Sequence, residues 1–474
     1  MLLFWLVLLP LVSGLLAYLG PTRRFRHGLL LGVGAAHTAG VAWVWGHQSL
    51  TAFGGWLAVD ALGLLVLTVV SVLFLAIATY AVGFLWLDRP GGGRLFVTCL
   101  LGFLSAATFV CVAHHLALLW IGMEATTLTL APLVFHRRDR RSLEAVWKYL
   151  VLSSVGIGLA LLGTFFLASA QVQGRPLVLE DLLQHAATLQ PALLRGAFIF
   201  LLVGYGTKMG LAPLHAWKPD TYGEAPSLVA GLMAGALTSC AFLGLARGVE
   251  IMAAAGQFAF VRPPLLVLGL TSLVVSAAFI IGQTDLKRML AYSSIEHMGI
   301  LVLALAIGGA GSYGAMLHLL SNGLSKGLMF LAVGNAVLFY RASEAAAIRG
   351  VLRQAPWTGA LLLIGLFAVT GSPPFGLFVS EITILGAAIR GGYIWLAAVV
   401  MILFAVIFAG MAKMILDVVW GEPIEPGLPA RESVALIGGP LALAALVLML
   451  GLYLPAPLRV VLGTAARALG GATP

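Results

Sequence analysis

Apolar residues fill most of the chain in long runs, and short polar stretches separate these runs. Fourteen of the runs are long enough for a helix to cross the hydrocarbon core of a bilayer. They cover residues 2–19, 28–45, 58–86, 95–112, 115–135, 145–170, 195–213, 225–247, 264–282, 290–308, 312–340, 357–387, 392–419 and 433–455. The pattern predicts an all-α polytopic membrane protein, in which the sixth, eleventh and thirteenth spans can tilt.

Proline interrupts two of these runs. The seventh breaks at Pro213 and the twelfth at Gly371–Pro374, and each carries an ionisable residue near its break, Lys208 and Glu381. Proline removes a backbone donor and breaks or kinks a helix. Broken helices at matching positions of two halves point to a transport site. Five spans separate the breaks, so we expect two five-helix repeats of opposite orientation in the membrane.

The spacing of the breaks also gives the expected organisation of the chain. Residues 1–94 hold helices 1–3, and residues 95–248 form the first repeat, with helices 4–8. Residues 262–420 form the inverted second repeat, with helices 9–13, and residues 421–474 hold helix 14 and a short tail. We expect the tail after Pro455 to form an interfacial helix at most. The first 19 residues lack a basic leading region and an Ala-x-Ala cleavage site, so we expect them to form a retained helix.

Composition excludes several classes of protein. Hydrophobic residues make up 61% of the chain and charged residues 9%, and the mean hydropathy of +1.04 is far from that of a soluble domain. The net charge of +9 is spread over short loops, which does not indicate nucleic-acid binding. The three cysteines, Cys99, Cys111 and Cys240, lie singly in apolar runs, so we expect no iron–sulfur cluster, other cofactor or metal on this chain.

Basic residues give the expected orientation. Most of the 27 lysines and arginines lie in loops that follow odd-numbered spans, and Arg89, Lys218 and Arg431 are counted among them. Cytoplasmic loops carry the excess of Lys and Arg, so these loops are predicted to be cytoplasmic. We therefore expect a multi-pass protein of the inner (cell) membrane, with both termini on the outer side.

Ionisable residues within the spans are the candidate functional residues, because a charge at mid-membrane is costly and faces protein or water. Glu124 and Lys208 lie in the first half, where we expect them to face each other. A neutral, hydrogen-bonded Glu124 in the core is the alternative. Lysine changes its protonation state readily when buried, which suits a proton relay.

The second half holds a polar stripe on one helix. His318, Asn322 and Lys326 follow each other at steps of four and share a face. A proton path along this face is the favoured interpretation, and polar contacts between helices are the alternative. Glu381 is a candidate exit of the path. His215 and His297 are possible accessory residues. The alternative for His297 is a local cap or pair, and the alternative for His215 and His318 is a hydrogen-bonded core histidine.

Several stretches resemble one known family. LWIGMEATTL, GTKMGLAPLHAWKPD, QTDLKRMLAYSSIEHMGI, HLLSNGLSKGLMFLAVG and GSPPFGLFVSE are similar to the antiporter-like membrane subunits shared by complex I, the Mrp cation/proton antiporters and group 4 membrane-bound hydrogenases. The matching region covers roughly residues 60–420. SSIEHMGI and PPFGLFVSE look most like hydrogenase-4 component F of formate-hydrogenlyase-type complexes.

This resemblance implies a fourteen-helix core with a charged axis at mid-membrane. The positions carried over are Glu124, Lys208, His318, Lys326 and Glu381. Relatives often have a histidine or lysine on the eighth span, whereas this chain has Thr238 and Ser239 there. Asn322 stands where several relatives have histidine, and it cannot titrate. We therefore expect water, held by Thr238 and Ser239, to bridge the halves, and the alternative is that the link between them is missing.

Three functions compete at this point. The first is a proton-translocating subunit of a redox-driven complex, with no redox centre of its own. Its partners would be other membrane subunits and, through them, soluble iron–sulfur or nickel–iron subunits. The second is a subunit of an Mrp-type antiporter that exchanges sodium for protons. The third is a non-conducting membrane scaffold that anchors catalytic subunits.

Overall fold

The computed structural model describes residues 1–47, 50–88, 93–171, 174–422 and 432–470. Its helices, in chain order, are α1 (Leu2–Leu19), α2 (Arg23–Trp45), α3 (Ala61–Asp88), α4 (Arg94–Val112), α5 (Leu116–Val134), α6 (Arg140–Ala170), α7 (Leu179–Gln184), α8 (Pro191–Met209), α9 (Trp217–Glu224), α10 (Ser227–Leu232), α11 (Thr238–Ala254), α12 (Phe258–Ile280), α13 (Leu286–Ile307), α14 (Ala310–Tyr340), α15 (Val351–Gln354), α16 (Pro356–Val369), α17 (Gly376–Arg390), α18 (Ile394–Trp420), α19 (Val434–Leu452) and α20 (Ala456–Ala468). A small antiparallel hairpin, β1 (Thr51–Ala52) and β2 (Leu57–Ala58), precedes α3. Arg89 and Arg431, two of the loop arginines behind the predicted orientation, lie outside the described residues.

The predicted membrane spans are confirmed. In the described part of the chain, 13 helices are long and apolar enough to cross a membrane. One of them, Ser227–Ala254, joins α10 and α11 through a π turn at Met233–Leu237. The predicted twelfth span is two shorter helices, α16 and α17, on either side of its break.

Both predicted breaks are present. Helix α8 ends at Met209 and α9 begins seven residues past Gly210, whose φ is +75°. Helix α16 ends at Val369 and is followed by Gly371 with a φ of +61°. Left-handed backbone favours glycine, because the residue has no Cβ to clash with the following carbonyl. The chain therefore turns sharply at each break.

Local side chains explain where several helices begin. Asp139 accepts a hydrogen bond from Ser142 N at 2.7 Å, and Ser142 Oγ accepts from Asp139 N in return, which is a capping box at the start of α6. Asp285 accepts from the backbone of Lys287 and Arg288 at the start of α13. Caps of this kind satisfy the free N–H groups of the first turn.

The centre of the bundle is formed by α10, α11, α13 and α14, which are buried along most of their length. Small residues permit the closest crossing. A Cβ at Gly235 would lie 2.7 Å from the carbonyl oxygen of Gly323 on α14. Small residues at helix crossings are typical of membrane bundles. The outer helices present large apolar side chains, among them Trp147 and Met401, to the surroundings. A surface of this kind fits a lipid environment.

An ion cluster ties the first helices to the span Ser227–Ala254. Arg247 Nη1 and Nη2 donate to the two carboxylate oxygens of Asp60 at 2.7 and 2.6 Å, and Nη1 also donates to Glu250 at 3.0 Å. Asp60 directly precedes α3 and also accepts from Gly63 N at 3.0 Å, so it caps the start of that helix. The division of the chain into two inverted repeats, with the boundaries given above, stays a prediction.

The chain end after Pro455 was expected to form an interfacial helix at most. It forms α20, which has Leu458, Val461 and Leu462 buried against the rest of the protein. This helix therefore packs onto the bundle.

Candidate functional site: a line of buried ionisable groups

Lys208 lies in the last turn of α8, just before the break, and is fully buried. Its Nζ donates a hydrogen bond to Thr127 Oγ1 of α5 and lies 5.2 Å from the centre of the Tyr149 ring. A lysine over an aromatic face is stabilised by a cation–π interaction. The break thus places an amine among three helices, away from lipid.

Glu124 lies one turn from Thr127 on α5, but it forms no direct ion pair with Lys208 in the described part of the chain. Its Oε1 accepts from Ser154 Oγ of α6 at 3.0 Å. Its Oε2 is buried without a hydrogen-bond partner among the described residues. Glu124 is half-buried and Ser154 is exposed, so this carboxyl lies near the outer surface of the bundle. The predicted pairing of Glu124 with Lys208 is therefore not a direct ion pair among the described residues, and a contact through water stays a prediction.

Lys218 was counted with the loop residues, and that prediction is wrong. The chain folds back after Gly210, and Trp217 Nε1 donates to Thr207 O at 2.9 Å, so α9 packs under the end of α8. Lys218 is fully buried, and its Nζ donates to Met209 O at 2.7 Å and to Ser294 O at 3.4 Å. The sequence signal that was overlooked is the tryptophan directly before the lysine, an apolar residue that needs a buried position.

Lys326 of α14 is fully buried and contacts α13. Its Nζ donates to Ser293 Oγ at 2.6 Å, and Ser293 Oγ donates to Glu296 Oε2 at 3.3 Å. Glu296 is 4% exposed, so a buried carboxyl lies near the amine. Glu296 was not among the residues predicted for the site. Its spacing of three residues from Ser293, which puts both on one helix face, was the available signal.

His297 and His318 form a direct pair, with His297 Nδ1 3.1 Å from His318 Nε2. His297 Nε2 lies 3.0 Å from the carbonyl oxygen of Val369, so this nitrogen carries a hydrogen. Ser380 Oγ donates to Leu377 O at 2.7 Å and accepts from His318 Nδ1 at 3.0 Å. Assigned from these hydrogen bonds, both facing nitrogens hold lone pairs when the two rings are neutral. The pair is satisfied when it holds one extra proton.

Glu381 of α17 completes this end of the line. One ligand atom from each of His297, His318 and Glu381 lies within 4.8 Å of the others. Two imidazole nitrogens and a carboxylate are also a donor set that a transition metal such as zinc accepts. Glu381 Oε2 lies against the break, since a Cβ on Gly371 would come within 1.9 Å of it. The second break therefore positions the carboxyl.

The accessory residues take different places. Thr238 and Ser239 are buried and donate to carbonyls of their own helix, Ala234 O and Gly235 O, both at 2.6 Å. Each hydroxyl can therefore only accept from a bridging water. Asn322 is fully buried and neither of its side-chain polar atoms has a hydrogen-bond partner among the described residues. Buried amides of this kind bind water when the cavity allows.

His215 lies in the segment between α8 and α9 and is half-buried. Its ring lies 6.5 Å from that of Tyr292. It does not contact the amines and carboxyls described above through any hydrogen bond in the described part of the chain. The structure thus brings His297 into the line of ionisable groups and leaves His215 beside it.

Two broken helices, each with an ionisable residue at its break, and a line of buried amines, imidazoles and carboxyls between them define an antiporter-like membrane subunit. Residues 113–408 match the family described as "NADH:quinone oxidoreductase/Mrp antiporter, TM". The chain belongs to this family, which includes subunits of complex I, of Mrp antiporters and of group 4 hydrogenases. It is a multi-pass membrane protein.

Particular relatives agree with this assignment. The chain is 36% identical over 330 residues to a "Hydrogenase-4 component F homolog" of Methylacidiphilum infernorum (isolate V4), covering 68% of each protein. It is 31% identical over 358 residues to "NADH-quinone oxidoreductase subunit N" of Thiobacillus denitrificans, covering 72% of this chain and 71% of the relative. The resemblance stated from the motifs is confirmed.

A solved structure gives the same fold. A chain of respiratory complex I from Thermus thermophilus with bound aureothin superposes with a TM-score of 0.78 at 28% identity. The match covers 96% of this chain and 99% of the other. The polytopic helical architecture predicted from the hydrophobic pattern is therefore shared along nearly the whole length.

Proposed function

We propose that the chain is a proton-translocating subunit of a redox-driven membrane complex of the complex I or group 4 hydrogenase type. The observation that carries the proposal is the line of buried ionisable groups at and between the two helix breaks. Lys208 lies at the first break, Lys326 and the His297–His318 pair lie in the second half, and Glu381 lies at the second break. Burial of so many such groups is costly, and ionisable residues retained at this cost within a membrane protein commonly mark an ion or proton pathway.

The chemistry of these groups favours a proton over a metal cation as the transported species. Amines and imidazoles exchange protons, whereas hard cations prefer shells of carboxylate and carbonyl oxygens. Lys208, Lys218 and Lys326 would repel a cation along the line when charged. The competing Mrp-type function, exchange of sodium for protons, is tested by the sodium dependence of transport.

The test is Glu381→Gln in inverted membrane vesicles, energised with the electron donor that gives the largest wild-type signal. The change removes a titratable group and keeps its shape, so we expect the initial rate of proton uptake per electron to fall at least fivefold. Electron transfer and subunit content should stay at wild-type values. Glu144→Gln is the matched control, because the Glu144 side chain is 64% exposed and far from the breaks in the chain.

Contrary outcomes separate the candidate functions. The proposal would be falsified by normal proton uptake in a triple variant with Glu381, Lys326 and Lys208 all neutralised. That result would favour the scaffold function. Proton uptake that requires sodium on the opposite side of the membrane would favour the antiporter function.

The relatives named above are components of multi-subunit enzymes, so other membrane subunits are expected beside this one. We propose that these connect the chain to soluble iron–sulfur or nickel–iron subunits that supply the redox energy. Isolation of the tagged chain in mild detergent, followed by mass spectrometry and metal analysis, should recover such subunits. A chain recovered only with small membrane proteins and no iron would contradict this part.

The proposed orientation in the cell membrane places both termini on the outer side, from the bias of basic residues toward the loops after odd spans. Single cysteines at exposed terminal positions, in a background with Cys99, Cys111 and Cys240 replaced, test it. They should react with a membrane-impermeant maleimide in intact spheroplasts, and labelling only after lysis would place the termini inside.

A further inference from the structure

We propose that Lys218 passes the proton between the two halves of the protein, from the Lys208 side to Lys326. This inference rests on the proposed function and adds the residue that the path needs at its centre. The eighth span, Ser227–Ala254, has no lysine or histidine, and its hydroxyls at Thr238 and Ser239 donate to their own helix. The connecting titratable group comes instead from α9, the short helix that follows the first break.

The position of Lys218 follows from its hydrogen bonds. Its Nζ donates to Met209 O, on the residue that directly follows Lys208 in the chain. The same Nζ lies 3.4 Å from Ser294 O, and the preceding residue, Ser293, accepts from Lys326 Nζ at 2.6 Å. Lys218 therefore contacts Met209, which follows Lys208 in the chain, and lies near Ser294, which follows the hydrogen-bond partner of Lys326.

The surroundings of Lys218 suit a group that gains and loses a proton. Its two oxygen partners are carbonyls, which stabilise the ammonium form, and Met209 O is at the C-terminal end of α8, where the helix dipole favours a cation. Two other features oppose the ammonium form: Lys218 is fully buried, and it is close to the positive Lys326. Two like charges in a low-dielectric interior repel, so a proton on one amine favours a neutral form of the other.

Polar atoms near Lys218 can complete the route. Ser294 Oγ and the Tyr222 hydroxyl are buried close to each other, and neither forms a well-aligned hydrogen bond among the described residues. The Tyr222 ring lies 5.7 Å from Lys218 Nζ. Hydroxyls in this position can hold a bridging water, which both accepts and donates. In the step, neutral Lys218 binds a proton arriving from the Lys208 side and releases one through this water to neutral Lys326, with no net change in charge.

The experiment compares three variants in the inverted-vesicle assay, normalised to subunit content and to electron transfer. Lys218→Met should lower proton uptake per electron at least fivefold, to the level of Lys326→Met. Lys287→Met is the matched control: Lys287 is also buried and donates to a backbone carbonyl, Ala225 O at 3.1 Å, but lies outside the line. It should keep at least half of the wild-type uptake.

Lys218→Arg distinguishes a lysine that relays protons from one that only caps the C-terminal end of α8 with a fixed positive charge. Arginine keeps the positive charge and the donors but does not lose its proton at physiological pH. A relay requires that Lys218→Arg be as defective as Lys218→Met, and wild-type uptake in Lys218→Arg would overturn the inference. This comparison also decides the question if Lys218→Met fails to assemble.

Failure of the inference and failure of the proposed function give different results. Normal uptake in Lys218→Met together with defective uptake in Lys326→Met would leave the proton path in place and exclude Lys218 from it. Normal uptake in Lys208→Met and Lys326→Met would overturn both.

Discussion

At the scale of single residues, Asp220 joins three helices at the end of the bundle that is predicted to be cytoplasmic. Its Oδ2 accepts from Lys148 Nζ of α6 at 2.8 Å, and its Oδ1 accepts from Arg288 Nη1 of α13 at 2.6 Å. Burial acts to raise the pKa of Asp220, but the hydrogen bonds and charges of Lys148 and Arg288 outweigh it and hold the pKa below its ordinary value. The carboxylate therefore stabilises the folded state in its ionised form.

We expect Asp220→Asn to destabilise the protein by about 1 kcal/mol at pH 7, the order of a partly exposed ion pair. Because the pKa is lower in the folded state, this contribution is complete above the unfolded pKa of about 4 and is lost as the pH falls below it. Thermal unfolding in detergent at pH 7 and at lower pH measures the effect, and the two proteins should converge toward acid pH.

The control for this prediction is Glu144→Gln, because Glu144 contacts the same lysine at 2.7 Å from an exposed position. It should change the free energy of unfolding by less than about 0.5 kcal/mol. An equal loss in both variants would show that Lys148 alone, and not the junction at Asp220, matters.

Some residues of the candidate site were predictable from the sequence, and others were not, for an identifiable reason. Lys208, Lys326 and Glu381 stand in apolar runs, where a charge is conspicuous. Lys218 stands in WKPDTYGE, a polar stretch with the composition of a loop. Only the turn at Gly210 and the packing of Trp217 bury it. Glu296 was missed because its partner, Lys326, is thirty residues away in the chain.

At the scale of helices, the second break depends on a glycine that touches a site residue. Gly371 has a φ of +61°, and a Cβ there would lie 1.9 Å from Glu381 Oε2. We expect Gly371→Ala to cost about 1–2 kcal/mol for the left-handed backbone. It should also displace the Glu381 carboxyl and lower proton uptake per electron at least threefold. Thermal unfolding and the vesicle assay measure the two effects separately.

Gly392→Ala is the matched control for the break. Gly392 has a φ of +82°, and a Cβ there would meet nothing within 4 Å. The variant should lose only the stability that the left-handed backbone costs, and its proton uptake should be normal. Equal uptake in the two variants would argue against a role of the Gly371–Glu381 contact.

The helices themselves were largely predictable, since long apolar runs have few alternatives in a membrane. Proline and glycine marked both breaks. The short helix α9 was not predicted, because its eight residues have no clear apolar period and its position depends on contacts with α8 and α13. The hairpin β1–β2 was also missed, as two-residue strands leave no pattern.

At the scale of the whole molecule, the ion pair between Asp60 and Arg247 connects the N-terminal helices to the span Ser227–Ala254. We expect Asp60→Asn to destabilise the protein by about 3 kcal/mol, because it leaves a buried guanidinium with one carboxylate fewer. Asparagine can still accept from Gly63 N, so the variant isolates the ion pair from the helix cap. The thermal midpoint in detergent measures the loss.

Glu250→Gln provides the comparison for this prediction. It removes the second carboxylate from Arg247 but leaves the two-bond contact with Asp60 at 2.6 and 2.7 Å. We expect a smaller loss than in Asp60→Asn. A larger one would assign the stabilisation to Glu250.

The family and the membrane architecture could be recognised from motifs such as SSIEHMGI and GSPPFGLFVSE, which lie far apart in the chain. The connection between the halves could not be recognised from the sequence. It depends on which backbone carbonyls are left free at the first break and on which amine reaches them. These are properties of the folded chain, and no periodicity in the sequence encodes them.

The π turn at Met233–Leu237 sets the rotational phase of everything that follows it in its span. Thr238 N donates to Met233 O, so this turn holds one residue more than an α-helical turn. Each residue of an α-helix turns the chain by about 100°. If the same residues formed a regular α-helix, α11 would rotate by about that angle and Arg247 would face away from Asp60. Deleting one residue from the turn would instead restore a regular helix and keep α11 in its present orientation, because the turn absorbs the extra residue.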